Sequence, residues 1–252
     1  VKPTAIGRIL IWRSGSLWIG RAGEPADFHA HHAIQISLPF PGARVRLRLP
    51  GEAWKTYTAA IVAAQQRHAF EARDQLVAQI FSEPESREGR VLQLRYRDEG
   101  VSSPSQGMLD QEIAALATAY RAREGAARLI ALAQSVISAL AGTSPAPEAL
   151  DSRIELALQL VRERMGDRVQ LGKIAGAVHL SPERFRHLFV EQTGVRFRAY
   201  ILWLRLECAL GAYTAGKSLT EAAHAGGFAD SAHLSRTFRK MFGISAASIF
   251  LE

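Results

Sequence analysis

The last hundred residues of this chain repeat themselves, and that repeat constrains the fold more than any other feature. Ser181-Pro-Glu-Arg-Phe-Arg-His-Leu-Phe189, followed by Gly194, lies over Asp230-Ser-Ala-His-Leu-Ser-Arg-Thr-Phe238, followed by Gly243. Upstream, Leu171, Ile174, Ala175 and Leu180 lie over Leu219, Ala222, Ala223 and Phe228, so the second copy carries one extra residue at its turn. Each copy reads as a short helix, a tight turn and a longer helix, which is helix-turn-helix geometry. Ala175 and Ala223 are small where the first helix must approach the second. Ser181 before Pro182 has the form of an N-cap with proline at the first helical position, and Asp230 is placed to cap in the same way. Gly194 and Gly243 stop their helices as left-handed residues can.

Helices are expected near 151–165, 171–178, 182–192, 197–213, 219–226 and 230–242, with a last helical turn near 246–250. Ahead of them, Gly142-Thr-Ser-Pro-Ala-Pro147 reads as a short stiff linker. Before the linker, Leu109, Ile113, Leu116 and Tyr120 share one helix face, and Leu129, Leu132, Val136 and Leu140 share another. The second face suits a partner helix in a homodimer, or the chain's own β region.

Residues 8 to about 97 alternate differently. Arg8–Arg13, Ser16–Arg21, Ala33–Leu38, Arg44–Leu49, Ala59–Ala64 and Leu76–Phe81 read as short strands, with Val91–Tyr96 a weaker candidate. Arg44, Arg46 and Arg48 alternate with Val45, Leu47 and Leu49, so the arginines take the solvated face. Strands at this spacing predict a small sandwich or barrel.

At 252 residues and 48% hydrophobic content the chain is long enough for two cores, and disorder is excluded as a description of the whole. No apolar run approaches the roughly 18–20 residues of a membrane helix. Val1 in place of Met suggests that the sequence starts after the true beginning, and no signal pattern precedes the strands. Cys208 is the only cysteine, which excludes an internal disulfide and a multi-thiolate metal site and fits a cytoplasmic protein. The net charge of +7 favours a polyanionic partner, but the excess is spread along the chain and locates no site.

On Leu180-Ser181-Pro182, Phe185, Leu188-Phe189, Thr193-Gly194, then Tyr200 to Glu207, then Gly227-Phe228, Asp230-Ser231 and His233 to Gly243, the chain resembles the AraC/XylS family of transcription regulators. His179 departs from that pattern, where a turn glycine is usual, as does Ala246-Ala247, where a proline is usual. The resemblance implies a seven-helix DNA-binding domain over 149–252 that reads double-stranded DNA through two recognition helices. It implies base-facing positions at Glu183, Arg184, Arg186 and His187, and at Ser231, Ala232, His233 and Arg236. Arg196, Arg198, Arg239, Lys240 and Lys217 are then phosphate contacts or solvated. Two helices on successive grooves imply an asymmetric half-site of about 20 bp.

Gly23, His29-Ala30-His31, Gln35 and Gly42 resemble the first cupin motif, with Gln35 where that motif has Glu. His68 falls where the second motif has its histidine, although the proline, glycine and asparagine of that motif are absent. The resemblance implies an all-β cupin-like barrel over 1–103 that senses a small-molecule effector, joined by a helical dimerisation segment and linker over 104–148. His29, His31, Gln35 and His68 are its candidate effector-binding residues. They are also candidate ligands for Zn, Ni, Fe or Mn, or hold no ligand at all. The expected protein is a multidomain, non-enzymatic regulator whose partners are DNA, an effector, RNA polymerase if it activates, and a second copy of itself. The competing readings are a cupin-type metalloenzyme tethered to a DNA-binding domain, and a nucleoid or RNA-binding protein.

Overall fold

The computed structural model describes residues 5–143, 148–166, 169–246 and 249–251. Two compact units emerge: Val1–Pro145 together with Ser235–Glu252, and Ala146–Leu234.

The first unit carries two sheets. Its strands are β1 (Ala5–Trp12), β2 (Gly15–Ala22), β3 (Ala26–His29), β4 (Ile34–Pro39), β5 (Val45–Arg48), β6 (Lys55–Tyr57), β7 (Ala60–Val62), β8 (His68–Glu71), β9 (Leu76–Ser82) and β10 (Val101–Ser102), with β11 (Ile249–Leu251) arriving from the far end of the chain. One sheet runs β10-β7-β4-β9-β2-β1-β11, and the other runs β3-β8-β5-β6. The alternation at Arg44–Leu49 holds: Val45 and Leu47 are buried and Arg46 is exposed. Arg48 is half-buried, its guanidinium lying over Phe28 and Trp54.

Three expectations change here. Val91–Tyr96 is not a strand but part of α1 (Arg87–Tyr96), because the Ser86 hydroxyl accepts from the Gly89 N–H and nucleates a helix that buries Val91 and Leu92. The last helical turn expected near 246–250 does not extend to its end: Ile249–Leu251 is a strand that pairs in parallel with β1, Ala5 opposite Ile249. Residues 247–248, which include Ala247 of the departure noted above, lie outside the described residues. The face of Leu129, Leu132, Val136 and Leu140 on α3 (Ala126–Ala141) is not free for a partner helix. These side chains are 0–8% exposed and share one core with Leu17 of β2, Ile34 and Ile36 of β4, Ile80 of β9, and Leu116 of α2 (Asp110–Arg121). An apolar face this wide is stable only when covered, and the chain's own sheet covers it. Arg95 of α1 ties the end of α3 down by donating to the Leu140 carbonyl at 2.6 Å.

The second unit holds α4 (Ser152–Glu163), α5 (Leu171–Ala177), α6 (Pro182–Thr193), α7 (Phe197–Thr214), α8 (Leu219–Ala225) and the start of α9 (Ser231–Phe242). Its core gathers Phe185, Phe189, Phe197 and Tyr200, with ring centroids 5.3–5.6 Å apart. Ser181 accepts from the Arg184 N–H and Asp230 from the His233 N–H, so both N-caps are as read. The linker read at Gly142–Pro147 lies mostly at 144–147, outside the described residues.

The two turns of the duplication share an unusual backbone. His179 has φ +56° where its counterpart Gly227 has +71°. A left-handed conformation costs a residue with a Cβ about 1–2 kcal/mol, of which glycine's greater freedom in the unfolded chain takes back about 0.5–1. His179 is exposed. His179→Gly is therefore expected to raise unfolding stability by about 0.5–1 kcal/mol; a urea titration with unchanged or lower midpoint would contradict this.

Candidate functional site

The histidine cluster is assembled by register. In the small sheet His29 of β3 and His68 of β8 are cross-strand partners, which brings their rings to 4.2 Å between centroids. His31 does not share their strand, contrary to the simple alternation expected: β3 ends at His29 and His31 lies in the connection that follows. The bend still returns its ring to 5.7 Å from His29 and 5.4 Å from His68. Gln35 reaches the group from β4 in the large sheet, its Oε1 at 3.0 Å from His31 Nε2 and 3.3 Å from His68 Nε2. One ligand atom from each of His29, His31 and His68 lies within 4.8 Å of the others, an arrangement able to hold a metal ion. All four residues are at most 6% exposed.

Burial governs the charge of these rings. Loss of hydration pushes the His29 and His68 pKa values down, with neighbouring histidines pushing His68 further. His31 is lowered to about 3, again mainly by burial. Burial thus favours the neutral form of all three imidazoles.

A cavity of about 110 Å³ opens beside them, lined by His29 and Gln35 and by apolar groups including Trp18, Ile19, Phe70, Val77 and Phe242. Phe242 comes from α9. From Ser235 onward that helix and its continuation pack on the sheets. Trp18 of β2 stacks on Phe238 at 5.9 Å and meets Phe242 at 4.6 Å, and Phe242 lies 6.0 Å from the His31 ring. The Asp27 N–H donates to the Gly243 carbonyl at 3.1 Å, and Arg239 pairs with the Asp27 carboxylate at 3.2 Å. Gly243 is pressed so close that an added Cβ would stand 2.4 Å from the Asp27 carbonyl and 2.7 Å from His29 Nδ1. Neither Trp18 nor Asp27 was singled out from sequence, and Phe242 was read only as part of the helix-turn-helix pattern. Gly243 was read only as a helix stop, and the repeat's own symmetry concealed its second role, because Gly194 at the matching position faces open space.

On α6, Glu183, Arg184, Arg186 and His187 are all exposed. Glu183 holds two of its neighbours, accepting from Arg186 at 2.9 Å and lying 3.0 Å from His187 Nε2. On α9, Ala232, Arg236, Arg239 and Lys240 are exposed, while Ser231 and His233 are half-buried. His233 packs edge-on against Phe228 at 5.2 Å. Arg236 makes no ion pair among the described residues. Arg196 and Arg198, at the start of α7, are also exposed. Cys208 is exposed with its thiol pKa pushed up by burial of its surroundings and by Glu207, which fits an unreactive thiol. No helix among the described residues is long and apolar enough to cross a membrane.

Comparison with known proteins agrees with this geometry. The family model for a helix-turn-helix domain matches residues 174–250. ToxT from Vibrio cholerae is similar in structure at 12% identity and a TM-score of 0.56, covering 93% of this chain and 97% of that one. ToxT from the same organism with an unsaturated fatty acid bound is similar at 13% identity and 0.54, covering 93% and 95%. An AraC-type DNA-binding domain protein from Chromobacterium violaceum is 27% identical over 37% of this chain and 85% of its own, with a TM-score of 0.36. No curated protein is matched. The chain thus carries a helix-turn-helix domain, duplicated within itself, behind a β-rich N-terminal domain; it has the two-domain fold of ToxT and is a helix-turn-helix DNA-binding regulator.

Proposed function

We propose that the protein is a cytoplasmic one-component switch in which a small-molecule effector enters the cavity beside His29, His31, Gln35 and His68 and is read out by α9. One observation carries this reading: Phe242, at the end of the second recognition helix, forms part of the wall of that cavity, and Gly243 next to it is pressed against Asp27 and His29. A ligand that displaces Phe242 displaces a continuous helix whose other end carries Ser231, Ala232, His233 and Arg236. Coupling then needs only a ligand with different affinities for the two positions of that helix. ToxT with a bound fatty acid supports an effector of organic, largely apolar character, as does the apolar lining here. The reading requires no catalysis by the β domain.

The residues assigned to DNA are Glu183, Arg184, Arg186 and His187 of α6 and Ser231, Ala232, His233 and Arg236 of α9 for bases, with Arg196, Arg198, Arg239 and Lys240 for phosphates. A homodimer would present two such domains to paired half-sites, through a surface other than the buried Leu129 face. RNA polymerase is the further partner where the protein activates.

Titrations on cognate and scrambled duplex at several salt concentrations test the assignment. Arg236→Ala is expected to cost about 1–3 kcal/mol on the cognate site and little on scrambled DNA, because a bidentate arginine–guanine contact is sequence-specific. Lys240→Ala is expected to weaken both alike and to flatten the salt dependence by about one unit. Equal losses on both duplexes for Arg236→Ala would remove its base-reading role.

A further inference from the structure

We propose that the outer face of the small sheet is a second, sequence-independent site for the phosphate backbone of double-stranded DNA, held by Arg44, Arg48 and Arg67. None of these residues belongs to the helix-turn-helix units, so the inference goes beyond the reading above. It rests on that reading only in that the helix-turn-helix domain brings the chain to duplex DNA.

The face is built by alternation. On β5 Val45 and Leu47 are buried, which turns Arg46 and Arg48 outward, with Arg44 in step just before the strand. Residues two apart on a strand stand about 6.6 Å apart, so the three arginines form a row of cations along β5. Neighbouring strands hold that row in place. β8 lies between β3 and β5, and the cross-strand partner of Arg48 on it is Ala69. Ala69 is small and 3% exposed, and the Arg48 guanidinium reaches past it to the Phe28 ring of β3 at 4.8 Å. Arg67, just before β8, meets the same ring at 5.6 Å. Trp54, ahead of β6, carries Arg48 at 5.0 Å and Arg46 at 5.3 Å. Cation and ring thus alternate in one stack, in the order Arg67, Phe28, Arg48, Trp54 and Arg46. Arginines held against rings have already lost much of the rotamer freedom that binding would cost them.

Most of this charge is not neutralised within the face. Glu71 pairs with Arg46 at 2.7 Å and with Arg73 at 3.5 Å. Arg44, Arg48 and Arg67 have no carboxylate partner among the described residues. Like charges gathered on one face attract a polyanion, and the rings narrow which one. Each ring already carries two guanidinia, so a nucleobase would have to displace them to stack, which disfavours single strands. Peptide recognition adds pockets or an apolar groove to its charges, and here arginine takes up the aromatic surface that would form one. Phosphate asks only for planar N–H forks and positive charge, which the row supplies. Duplex DNA presents phosphates in regular succession, and the helix-turn-helix domain tethers this face near it at high effective concentration.

Salt titrations of the full chain on random-sequence duplex test the site. Each lost phosphate contact lowers the slope of log affinity against log salt by about 0.9 unit, so combined Arg44→Gln, Arg48→Gln and Arg67→Gln should lower it by about two to three units. Glu71→Gln supplies the opposite sign: it frees Arg46 and Arg73 for phosphate and should steepen the slope by about one to two units. Arg87→Gln, Arg97→Gln and Arg123→Gln together remove the same charge from exposed positions on or beside α1 and α2. That control should leave the slope within about half a unit of wild type. An unchanged slope in the first triple variant, folded as wild type by circular dichroism, overturns the proposal, and so does an equal loss in the control. Loss of polyglutamate binding with an unchanged duplex slope would assign the face to an acidic protein and overturn it as well. Lys240→Ala reads the helix-turn-helix contacts separately, so failure of the sheet variants leaves that assignment standing.

Discussion

Val136→Asp is expected to unfold the N-terminal unit, not to release a folded monomer. Val136 is fully buried on α3 in the core that includes Leu17, Ile34 and Ile80, with Leu129 and Leu140 on the same helix face. The side chains of that core are apolar, so the new carboxylate would be buried among groups that do not solvate it. Removing the partner from a buried charge typically costs about 3–5 kcal/mol, and the lost valine packing adds to it. Against a typical domain stability of about 5–15 kcal/mol, that is a large fraction of the whole. Leu140→Ala, which only opens a cavity, is expected to cost about 2–5 kcal/mol. Denaturant titrations followed by circular dichroism measure both, and sedimentation of the Val136→Asp protein distinguishes the outcomes. A folded, cooperative monomer would show that this face serves a second copy.

The pair Gly194→Ala and Gly243→Ala isolates the docking of the second recognition helix. Both glycines have φ +71°, so both substitutions bear the same left-handed penalty of about 1–2 kcal/mol. They differ in what the new methyl meets. At Gly194 nothing lies within 4 Å; at Gly243 the Asp27 carbonyl would be 2.4 Å away, and backbone cannot step aside cheaply. Overpacking of this kind adds about 1–3 kcal/mol, and its easiest relief is to lift the segment off β3. Gly243→Ala is therefore expected to free the Asp27 amide, now bonded to the Gly243 carbonyl at 3.1 Å, and to raise its hydrogen-exchange rate at least tenfold. Gly194→Ala should leave that amide protected. Under the proposed switch, operator affinity shifts in Gly243→Ala and not in Gly194→Ala. Identical exchange at Asp27 in both variants would dissolve the link between β3 and the helix.

The sequence by itself determined whatever depends on local periodicity and repetition. The two helix-turn-helix units follow from caps at Ser181 and Asp230, stops at Gly194 and Gly243, and apolar spacing, all set within a few residues of one another. The strands from Arg8 to Phe81 were legible where side chains alternate. The short β3, β6, β8 and β10 were not, since two to four residues carry too little pattern. The histidines were legible as a set because three of them stand close to cupin-like positions. That His29 and His68 meet was decided by antiparallel register, and that His31 joins them was decided by a bend. Tertiary packing alone decided the rest: which surface covers the Leu129 face, why Ile249–Leu251 pairs with β1, and why Phe238 packs on Trp18 while its repeat partner Phe189 packs on Phe185, Phe197 and Tyr200. Two copies of one local motif have the same internal energetics, so nothing within the motif tells them apart. Their difference lies in contacts between residues far apart in the chain, such as Asp27 with Gly243, which exist only once the sheets have formed.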